Sequence, residues 1–450
     1  MLYTLFVTYG LKFHPKRLIL AFGLILFSVN ISYSQTWASV GLGTNSSIYA
    51  MTVFKGEMYV GGTFTEAGGK TANMVGKWDG KKWEAVGTGF DKIVHTLEVY
   101  DDQLYAGGEF NRADNKPAYR IAKWDGKNWG PVGLGMDSVR QYAVYSLKVF
   151  KGNLYAAGGF ENVIGTNDTK RIAKWDGKTW KGVGGGMDYA VGCLEVFNNN
   201  LYASGPFTTV GGKPIKHVAK WNDTTWTKVG KGFNELAGSV LKVFNNELYI
   251  GGYFTASDGV KAEHIAKWNG NTWVEVGGGM DLPVLSLEVY KNELYAGGQF
   301  KRAGSSNVNF ISKWNGSKWL DVAGGMDNRV TELLVYNNEL FAAGEFEKAG
   351  GNTIMHIAKL SVTGNINNGE LAFSNSIFPN PSNGTFNFLI SDIKKSMYLE
   401  IYSLNGKLIH STPIFQRITP INLDIQTHGI YTFTLRSEDG LLSFGRINIQ

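Results

Sequence analysis

The sequence contains one cysteine, Cys193, among 450 residues. A single cysteine excludes an intramolecular disulfide framework and a zinc site built from several thiolates. Cys193 falls within a predicted strand, at the repeat position that Thr96 holds in another copy, so we expect it to be buried and unreactive. Proline is also scarce, with 10 residues against 58 glycines, a balance typical of many tight turns between short strands.

Excess charge is also small. The formal net charge is +6, and three of the basic residues (Lys12, Lys16 and Arg17) belong to a segment that we expect to be removed. Without those three the net charge is +3, spread too thinly for the basic surface that nucleic-acid binding requires. We therefore expect no nucleic-acid partner.

The most apolar stretch, Leu18 to Val29, is too short for a transmembrane helix, which needs about 20 residues. It follows a basic region and precedes the small residues of Ser32-Tyr33-Ser34. This pattern predicts a secretory signal peptide over residues 1–34, cleaved before Gln35. The prediction implies export and no permanent membrane span.

One pattern, repeated about every 46 residues from Trp37 to Leu360, dominates the chain. A copy contains a strand opened by Trp, a loop closing on Asp or Asn, a strand such as LEVY, a tight turn, LYAGG followed by Phe, a longer loop and IAKW. The opening tryptophans are Trp37, Trp83, Trp129, Trp180, Trp226, Trp273 and Trp319.

Each copy has four strand-sized segments and no helical period, which predicts a four-stranded antiparallel sheet. Seven such sheets arranged radially cover each other's apolar faces, so we predict an all-β, seven-bladed β-propeller. Trp37 opens an outer strand without partners before it, and the last copy (330–360) lacks that strand. The N-terminal strand should therefore complete the last blade and close the ring.

Turn residues support this strand order. Lys55-Gly56, Asn198-Asn199 and Asn337-Asn338 lie between first and second strands. Asp-Gly or Asn-Gly, as in Asp125-Gly126, usually lies between third and fourth strands, where we predict type I′ turns.

The motifs LYxGGxF, IAKWDGxxW and VGxG resemble those of kelch-type repeats. They resemble the propeller repeats of the cortical polarity marker family more closely. The resemblance covers about residues 36–360. It implies the propeller fold and says little about activity, because propellers carry many unrelated functions.

After a predicted polar linker over 361–372, residues 373–450 alternate like strands of a small β-sandwich. Their motifs, IFPNPSNG, LEIYSLNGKLI and a later Gly-Ile-Tyr, resemble the type A C-terminal sorting domain of the type IX secretion system. The matching residues include Pro379, Asn380, Pro381, Gly384, Gly406 and Gly429. The resemblance implies that this domain engages the secretion machinery of a Gram-negative bacterium and is cleaved, leaving the remainder released or fixed at the cell surface.

The predicted loops from second to third strand are long and share one face with the blade-to-blade loops. We expect a partner, an extracellular protein or a glycan, to bind this long-loop face. All thirteen tryptophans occupy strand positions typical of core packing, which weakens the case for a Trp-stacked glycan. Tyr119, Tyr189 and Tyr253 remain candidate contacts in the loops.

A further candidate is a ring of Asx residues, each preceding an inner strand: Asn45, Asp91, Asp137, Asp188, Asn234, Asp281 and Asp327. The five aspartates could hold a cation or another ligand through their oxygen atoms. Alternatively each side chain caps its own backbone in an Asx turn. Seven-fold repetition favours the structural alternative.

His217, His264 and His356 share one repeat position, but on separate blades they are poorly placed to share zinc. A lysine recurs in every third strand and should have a structural role, with no partner evident from sequence. No catalytic residue, cofactor or metal is predicted. We favour a non-enzymatic binding or adhesion module over the alternative, a polysaccharide hydrolase or lyase using the Asp ring at the channel mouth.

Overall fold

The computed structural model describes residues 32–137, 143–234, 238–365 and, within 375–449, all except 379, 381, 383, 391–396, 404–406, 424–428 and 438–439. Every regular element in these ranges is a β-strand. The chain divides into a unit over Ser34–Thr363 and a second that contains Gly364–Gln450. Most of the predicted signal peptide lies outside the described residues.

The described part of the first unit contains seven four-stranded antiparallel sheets, which we call blades 1 to 7 in the order of their inner strands. The inner strands are Ile48–Phe54, Val94–Tyr100, Val144–Phe150, Cys193–Phe197, Val240–Phe244, Val284–Tyr290 and Val330–Tyr336. The second strands are Glu57–Gly62, Gln103–Gly108, Asn153–Gly158, Asn200–Ser204, Glu247–Gly251, Glu293–Gly298 and Glu339–Gly344.

Two further strands complete each blade. The third strands are Val75–Trp78, Ile121–Trp124, Ile172–Trp175, Val218–Trp221, Ile265–Trp268, Ile311–Trp314 and Ile357–Asn365. The outer strands of blades 1 to 6 are Trp83–Ala85, Trp129–Pro131, Trp180–Gly182, Trp226–Lys228, Trp273–Glu275 and Trp319–Asp321, and blade 7 uses Ser32–Ser39. Its third strand includes five residues of the predicted linker.

Each inner strand contacts the inner strands of the two neighbouring blades, and blade 7 contacts blade 1. This closed circuit makes a seven-bladed β-propeller around a central channel. The second strands are almost wholly buried because both of their faces pack against neighbouring blades.

The repeated diglycine allows this close packing. A Cβ atom added to Gly107 would lie 2.5 Å from Cγ1 of Val144 in the next blade, and one added to Gly61 would lie 2.5 Å from Cγ1 of Val94. The first glycine of the pair therefore lets the neighbouring inner strand approach the second strand.

The outer strands close the ring as predicted. The indole Nε1 of each opening tryptophan donates to a valine carbonyl of the preceding blade, for example Trp83 to Val40 at 2.8 Å and Trp129 to Val86 at 3.0 Å. Trp37 makes the same bond to Val322 at 3.1 Å, although 285 residues separate them. The N-terminal strand is thus the outer strand of blade 7.

All seven turns between inner and second strands have two consecutive residues with positive φ, as in Lys55-Gly56 (49° and 79°) and Asn198-Asn199 (46° and 57°). This confirms the type I′ prediction at that end of the blades. We call this side of the propeller the short-turn face.

The same prediction was wrong for the turns between third and outer strands. Trp124 pairs with Trp129, which leaves four residues in the loop, and only Gly126 of the Asp-Gly pair has positive φ, at 99°. The Asp125 carboxylate instead accepts the backbone N–H groups of Lys127 and Asn128 at 2.8 and 2.7 Å. The role of the aspartate in this turn is therefore to cap two backbone N–H groups with its side chain.

Most long loops carry a hairpin of two-residue strands. These are Glu66–Ala67 with Lys70–Thr71, Arg112–Ala113 with Lys116–Pro117, Thr209–Val210 with Lys213–Pro214, Ala256–Ser257 with Val260–Lys261, Arg302–Ala303 with Ser306–Asn307, and Lys348–Ala349 with Asn352–Thr353.

The second unit is a β-sandwich in its described residues. The strands of one sheet are, in spatial order, Asn375–Phe378, Thr385–Ile390 and Ile418–Asn422. Those of the other sheet are Leu408–Ile414, Met397–Ser403, Gly429–Ser437 and Gly440–Ile449. Alternate residues of both sheets form one core, in which the rings of Phe388 and Phe433 lie 5.2 Å apart.

Candidate functional site

The Asx ring fastens the long loops to the blades. The Oδ1 atom of Asp188 accepts the backbone N–H groups of Thr208 and Thr209, both at 2.9 Å. Asn45, Asp91, Asn234, Asp281 and Asp327 make the same two bonds to their own loops. Asp137 accepts one such bond, from Asn162 at 2.6 Å.

The expected Asx turn, in which each side chain caps its own backbone, is therefore wrong for this ring. The segment entering each blade runs beside the loop hairpin, with bridges such as Phe90 to Ala113, so the loop amides are nearer. No cluster of three metal-ligating side chains occurs in the part of the chain that the structure describes. The arrangement favours a loop clamp over a ligand-binding ring.

The clamp predicts a difference between two substitutions of Asp91. Asp91→Ala should destabilise the protein by about 1 kcal/mol, because two loop amides lose their acceptor. Asp91→Asn should be nearly neutral, because Asn45 and Asn234 already perform this role. Thermal unfolding and proteolysis within residues 109–119 measure the difference, and equal behaviour of the two variants would contradict the clamp.

The three candidate tyrosines are exposed, at 44% for Tyr119, 54% for Tyr189 and 42% for Tyr253. They lie on blade 2, before blade 4 and on blade 5, respectively. The Tyr253 hydroxyl accepts a long bond of 3.4 Å from Gln299. The structure places them as separate surface groups.

Aromatic and charged side chains meet at one side of the channel, at its long-loop end. We call this group the channel-mouth arc, and it consists of Tyr49, His95, Glu109, Tyr145, Arg329 and Glu345. The His95 ring lies 5.9 Å from the ring of Tyr49 and 5.5 Å from that of Tyr145, each on a neighbouring blade. Three consecutive blades thus contribute a continuous aromatic surface.

Charged groups flank these rings. His95 Nε2 lies 3.0 Å from Oε1 of Glu109. Tyr49 donates to Glu345 at 3.4 Å, and Glu345 is ion-paired with Arg329. Exposed side-chain fractions of 22% for His95 and 20% for Glu345 leave part of each group accessible to a ligand.

The pKa shifts agree with these contacts. The hydrogen bond from His95 lowers the pKa of Glu109. Burial, followed by the charge of Glu345, raises the pKa of Tyr49. The hydrogen bond to Glu345 raises the pKa of Arg329. At neutral pH the arc therefore offers the ionised Glu109 carboxylate and the protonated Tyr49 phenol.

The arc breaks the seven-fold repetition, and our sequence reasoning missed it. The second position of the inner-strand repeat holds Tyr49, His95, Tyr145, Gly192, Ser239, Leu285 and Thr331. Three consecutive aromatic rings in one column were the available signal.

The repeat position that holds three histidines is defined by its backbone conformation. His217, His264 and His356, with Met74, Arg120, Arg171 and Phe310 in the other copies, all have φ between 61° and 67°. His217 Nδ1 lies 2.9 Å from the Phe233 carbonyl and His264 Nδ1 lies 3.0 Å from that of Gly252. These local bonds support a structural role.

The third-strand lysines mostly pair with the first residue of the second strand. Lys77, Lys313 and Lys359 reach Glu57, Glu293 and Glu339 at 2.9, 2.8 and 3.0 Å. These contacts supply the partner that the sequence left unnamed, and they join adjacent strands of one blade.

The Cys193 thiol belongs to the contact between blades. Its sulfur accepts the Leu241 N–H of the next blade at 3.3 Å, where Thr96, Ser146 and Ser286 use hydroxyls in other copies. The residue is half-buried, so the prediction that it is buried was wrong. Burial raises its pKa to about 12, so it remains protonated at neutral pH.

In the second unit, Asn380 holds the C-terminal strand. Its side chain donates to the Arg446 carbonyl at 3.3 Å and accepts the Asn448 N–H at 2.9 Å. Gly384 has φ of 98°, and Gly429 begins a strand. Pro379, Pro381 and Gly406 lie outside the described residues.

Residues 376–449 match the family described as the secretion system C-terminal sorting domain. This confirms the predicted sorting domain, which serves type IX secretion and implies interaction with its machinery. The protein is therefore exported to the cell surface or the extracellular space of a Gram-negative bacterium. In the described ranges there is no helix with the length and apolar character needed to cross a membrane.

Among solved structures, the chain is similar to an extracellular domain of B. thetaiotaomicron named for the hybrid two-component system BT4673, with 12% identity and a TM-score of 0.48 over 93% of this chain and 59% of that one. It is also similar to PorZ, a surface component of the type IX secretion system of Porphyromonas gingivalis, with 16% identity and a TM-score of 0.45 over 91% and 60% of the two chains. The chain thus spans about three-fifths of these structures. No curated protein matches it in sequence.

Proposed function

We propose that this exported protein is a non-enzymatic binding module whose ligand site is the long-loop mouth of the propeller channel. The observation that supports the proposal is the channel-mouth arc, because a specific site on a repetitive scaffold requires a departure from the repeat. The long loops, clamped by the Asx ring, surround that mouth and provide the variable part of the surface.

The chemistry of the arc favours a polyhydroxylated ligand such as a glycan. Aromatic faces at Tyr49 and Tyr145 can stack on the C–H face of a sugar. The carboxylates of Glu109 and Glu345 accept hydroxyl hydrogen bonds, and Arg329 donates them. Gly192 and Ser239, in the same column on blades 4 and 5, add little side-chain volume there.

An immobilised glycan screen with the purified exported chain tests the proposal. Tyr49→Ala and Tyr145→Ala should each weaken binding of any captured glycan by about ten-fold or more, as expected for loss of about 1.4 kcal/mol of aromatic contact. Tyr119→Ala removes a more exposed tyrosine outside the arc and should leave affinity unchanged. Equal losses at Tyr49 and Tyr119, or binding unaffected by the arc variants, would contradict the proposed site.

An enzymatic role has one specific observation in its favour. His95 and Glu109 form a half-buried pair at the channel mouth, and such a pair can act as a general base, for example in a polysaccharide lyase. The distinguishing measurement is product release from polysaccharides that the protein binds. A lyase would lose turnover in His95→Gln while retaining the substrate, whereas the binding module releases no product.

The segment assignments complete the proposal. We propose that residues 1–34 are removed as a signal peptide, that 35–360 constitute the ligand-binding propeller, and that 373–450 are cleaved after export. N-terminal sequencing and mass measurement of the exported protein test both cleavages.

A further inference from the structure

A second, unrelated group of charges lines the channel towards the short-turn face. The fifth position of the inner-strand repeat holds Thr52, Glu98, Lys148, Glu195, Lys242, Glu288 and Leu334, and we call the five charged members the channel girdle. Lys148 pairs with Glu195 of the next blade at 2.9 Å, and Lys242 pairs with Glu288 at 2.8 Å. Charge of alternating sign thus continues across five consecutive blades.

The girdle opens into a cavity of ≈ 370 Å³ at the short-turn face. Lys148, Glu195 and Lys242 line it together with Asn198 and Asn246 of two turns. Val196, Phe197 and Val243 supply the apolar part of its wall. The volume lies within the range of small-molecule sites, about 300–1,000 Å³, and is far larger than an inorganic ion needs.

The cavity wall is rich in hydrogen-bond donors, and its two lysines are each paired with one carboxylate of the girdle. Two ammonium groups face one carboxylate, and that carboxylate is already engaged by Lys148 and by the Val196 N–H at 2.8 Å. Lys242 uses one of its three N–H donors on Glu288, at 2.8 Å. Both lysine side chains are 28% exposed, so donors remain available to a ligand.

We propose that this cavity is a second binding site, and that it takes a small organic carboxylate of about the size of a sugar acid. The ligand carboxylate lies between Lys148 and Lys242 and accepts their free N–H donors. The body of the ligand lies against Phe197 and Val243. The site is at the opposite end of the channel from the arc and is independent of the function proposed for that surface.

Two nearby carboxyl groups should make the affinity of the site for an anion depend on pH. Burial raises the pKa of Glu98 to about 7, with Lys148 opposing and Glu195 adding to the shift. Burial raises the pKa of Glu332 to about 8, with Glu288 adding and Lys242 opposing, and Glu332 also acts on Cys193. Below about pH 6 both carboxyls are largely neutral, and above about pH 9 they add two negative charges that repel an anion.

Lys148 remains cationic over this range. Burial alone would lower its pKa, but the charges of Glu195 and Glu98 and the hydrogen bond to Glu195 raise it overall. The loss of anion affinity at alkaline pH is therefore assigned to Glu98 and Glu332.

Calorimetric titration of the full chain with galacturonate, and with galactose as the neutral control, tests the proposal. We expect galacturonate alone to bind, with affinity at least about five-fold weaker at pH 9 than at pH 6. The double variant Lys242→Gln/Glu288→Gln removes an ion pair without leaving a buried charge and should abolish binding. Lys220→Gln, a third-strand lysine outside the cavity, should bind as the parent does.

Equal binding of galactose, retention of galacturonate binding in the double variant, or absence of binding at millimolar concentration would overturn the proposal. A Glu98→Gln/Glu332→Gln variant should bind equally at pH 6 and pH 9. Circular dichroism of each variant separates loss of the site from loss of the fold.

Discussion

Replacement of Trp37 by alanine is expected to destabilise the propeller by about 4 kcal/mol or more and to open its ring. The side chain is 4% exposed, and truncating a buried tryptophan costs about 3–5 kcal/mol. The variant also loses the Nε1 bond to Val322. Since only non-covalent contacts hold the N-terminal strand in blade 7, its release exposes the edge of Ile357–Asn365 to aggregation.

Trp273→Ala is the matched control for closure. Trp273 is also buried and donates to Val229 of the preceding blade, but the chain itself connects those two blades. Both variants should melt at lower temperature in calorimetry. Native-state proteolysis should cleave the strands of blade 7 only in Trp37→Ala, and identical cleavage patterns in the two variants would show that the N-terminal strand is not the closing element.

Substitution of Glu332 by glutamine is expected to stabilise the protein at alkaline pH. Glu332 has a native pKa of about 8, against 4.5 for an ordinary glutamate. A raised carboxyl pKa contributes stability that is fully present below about pH 4.5 and is lost as the pH rises through 8. The full shift corresponds to at most roughly 5 kcal/mol at about 1.4 kcal/mol per pH unit.

We expect about 2–3 kcal/mol for Glu332→Gln at pH 9, because channel water reduces the burial penalty, and no difference from the parent at pH 4. Calorimetric scans at both pH values measure the gain. Glu66→Gln, at an exposed position, should change neither scan. An equal effect of Glu332→Gln at both pH values would exclude titration as its cause.

The sequence predicted the blade order, the closing strand and the inner-to-second turns because each depends on a local signal repeated in every copy. Trp37 without preceding partners and Leu360 in place of a tryptophan were enough to place the N-terminal strand. The turn at Asp125-Gly126 was mispredicted because its type depends on the Trp124–Trp129 pairing, which residue identity alone does not specify.

The candidate site was harder to predict because it lies in departures from the repeat. The Asx ring drew attention as a repeated feature, yet repetition reflects its structural task of clamping loops. Tyr49, His95 and Tyr145 become a site only because three inner strands meet around the channel. Likewise, Lys148 and Glu195 are paired by neighbouring blades and lie 47 residues apart in the chain.

The bond between Trp37 and Val322 also sets an order of events during folding. Contacts between residues 285 positions apart carry a large loop-closure entropy and form late, whereas the hairpins within each blade depend on local contacts and form early. Blades 1 to 6 can therefore assemble progressively, while blade 7 must wait for the opposite terminus of the propeller. We therefore expect the last folding step of this unit to be an encounter between its earliest and latest synthesised parts, and we expect that step to limit the rate at which protease resistance appears.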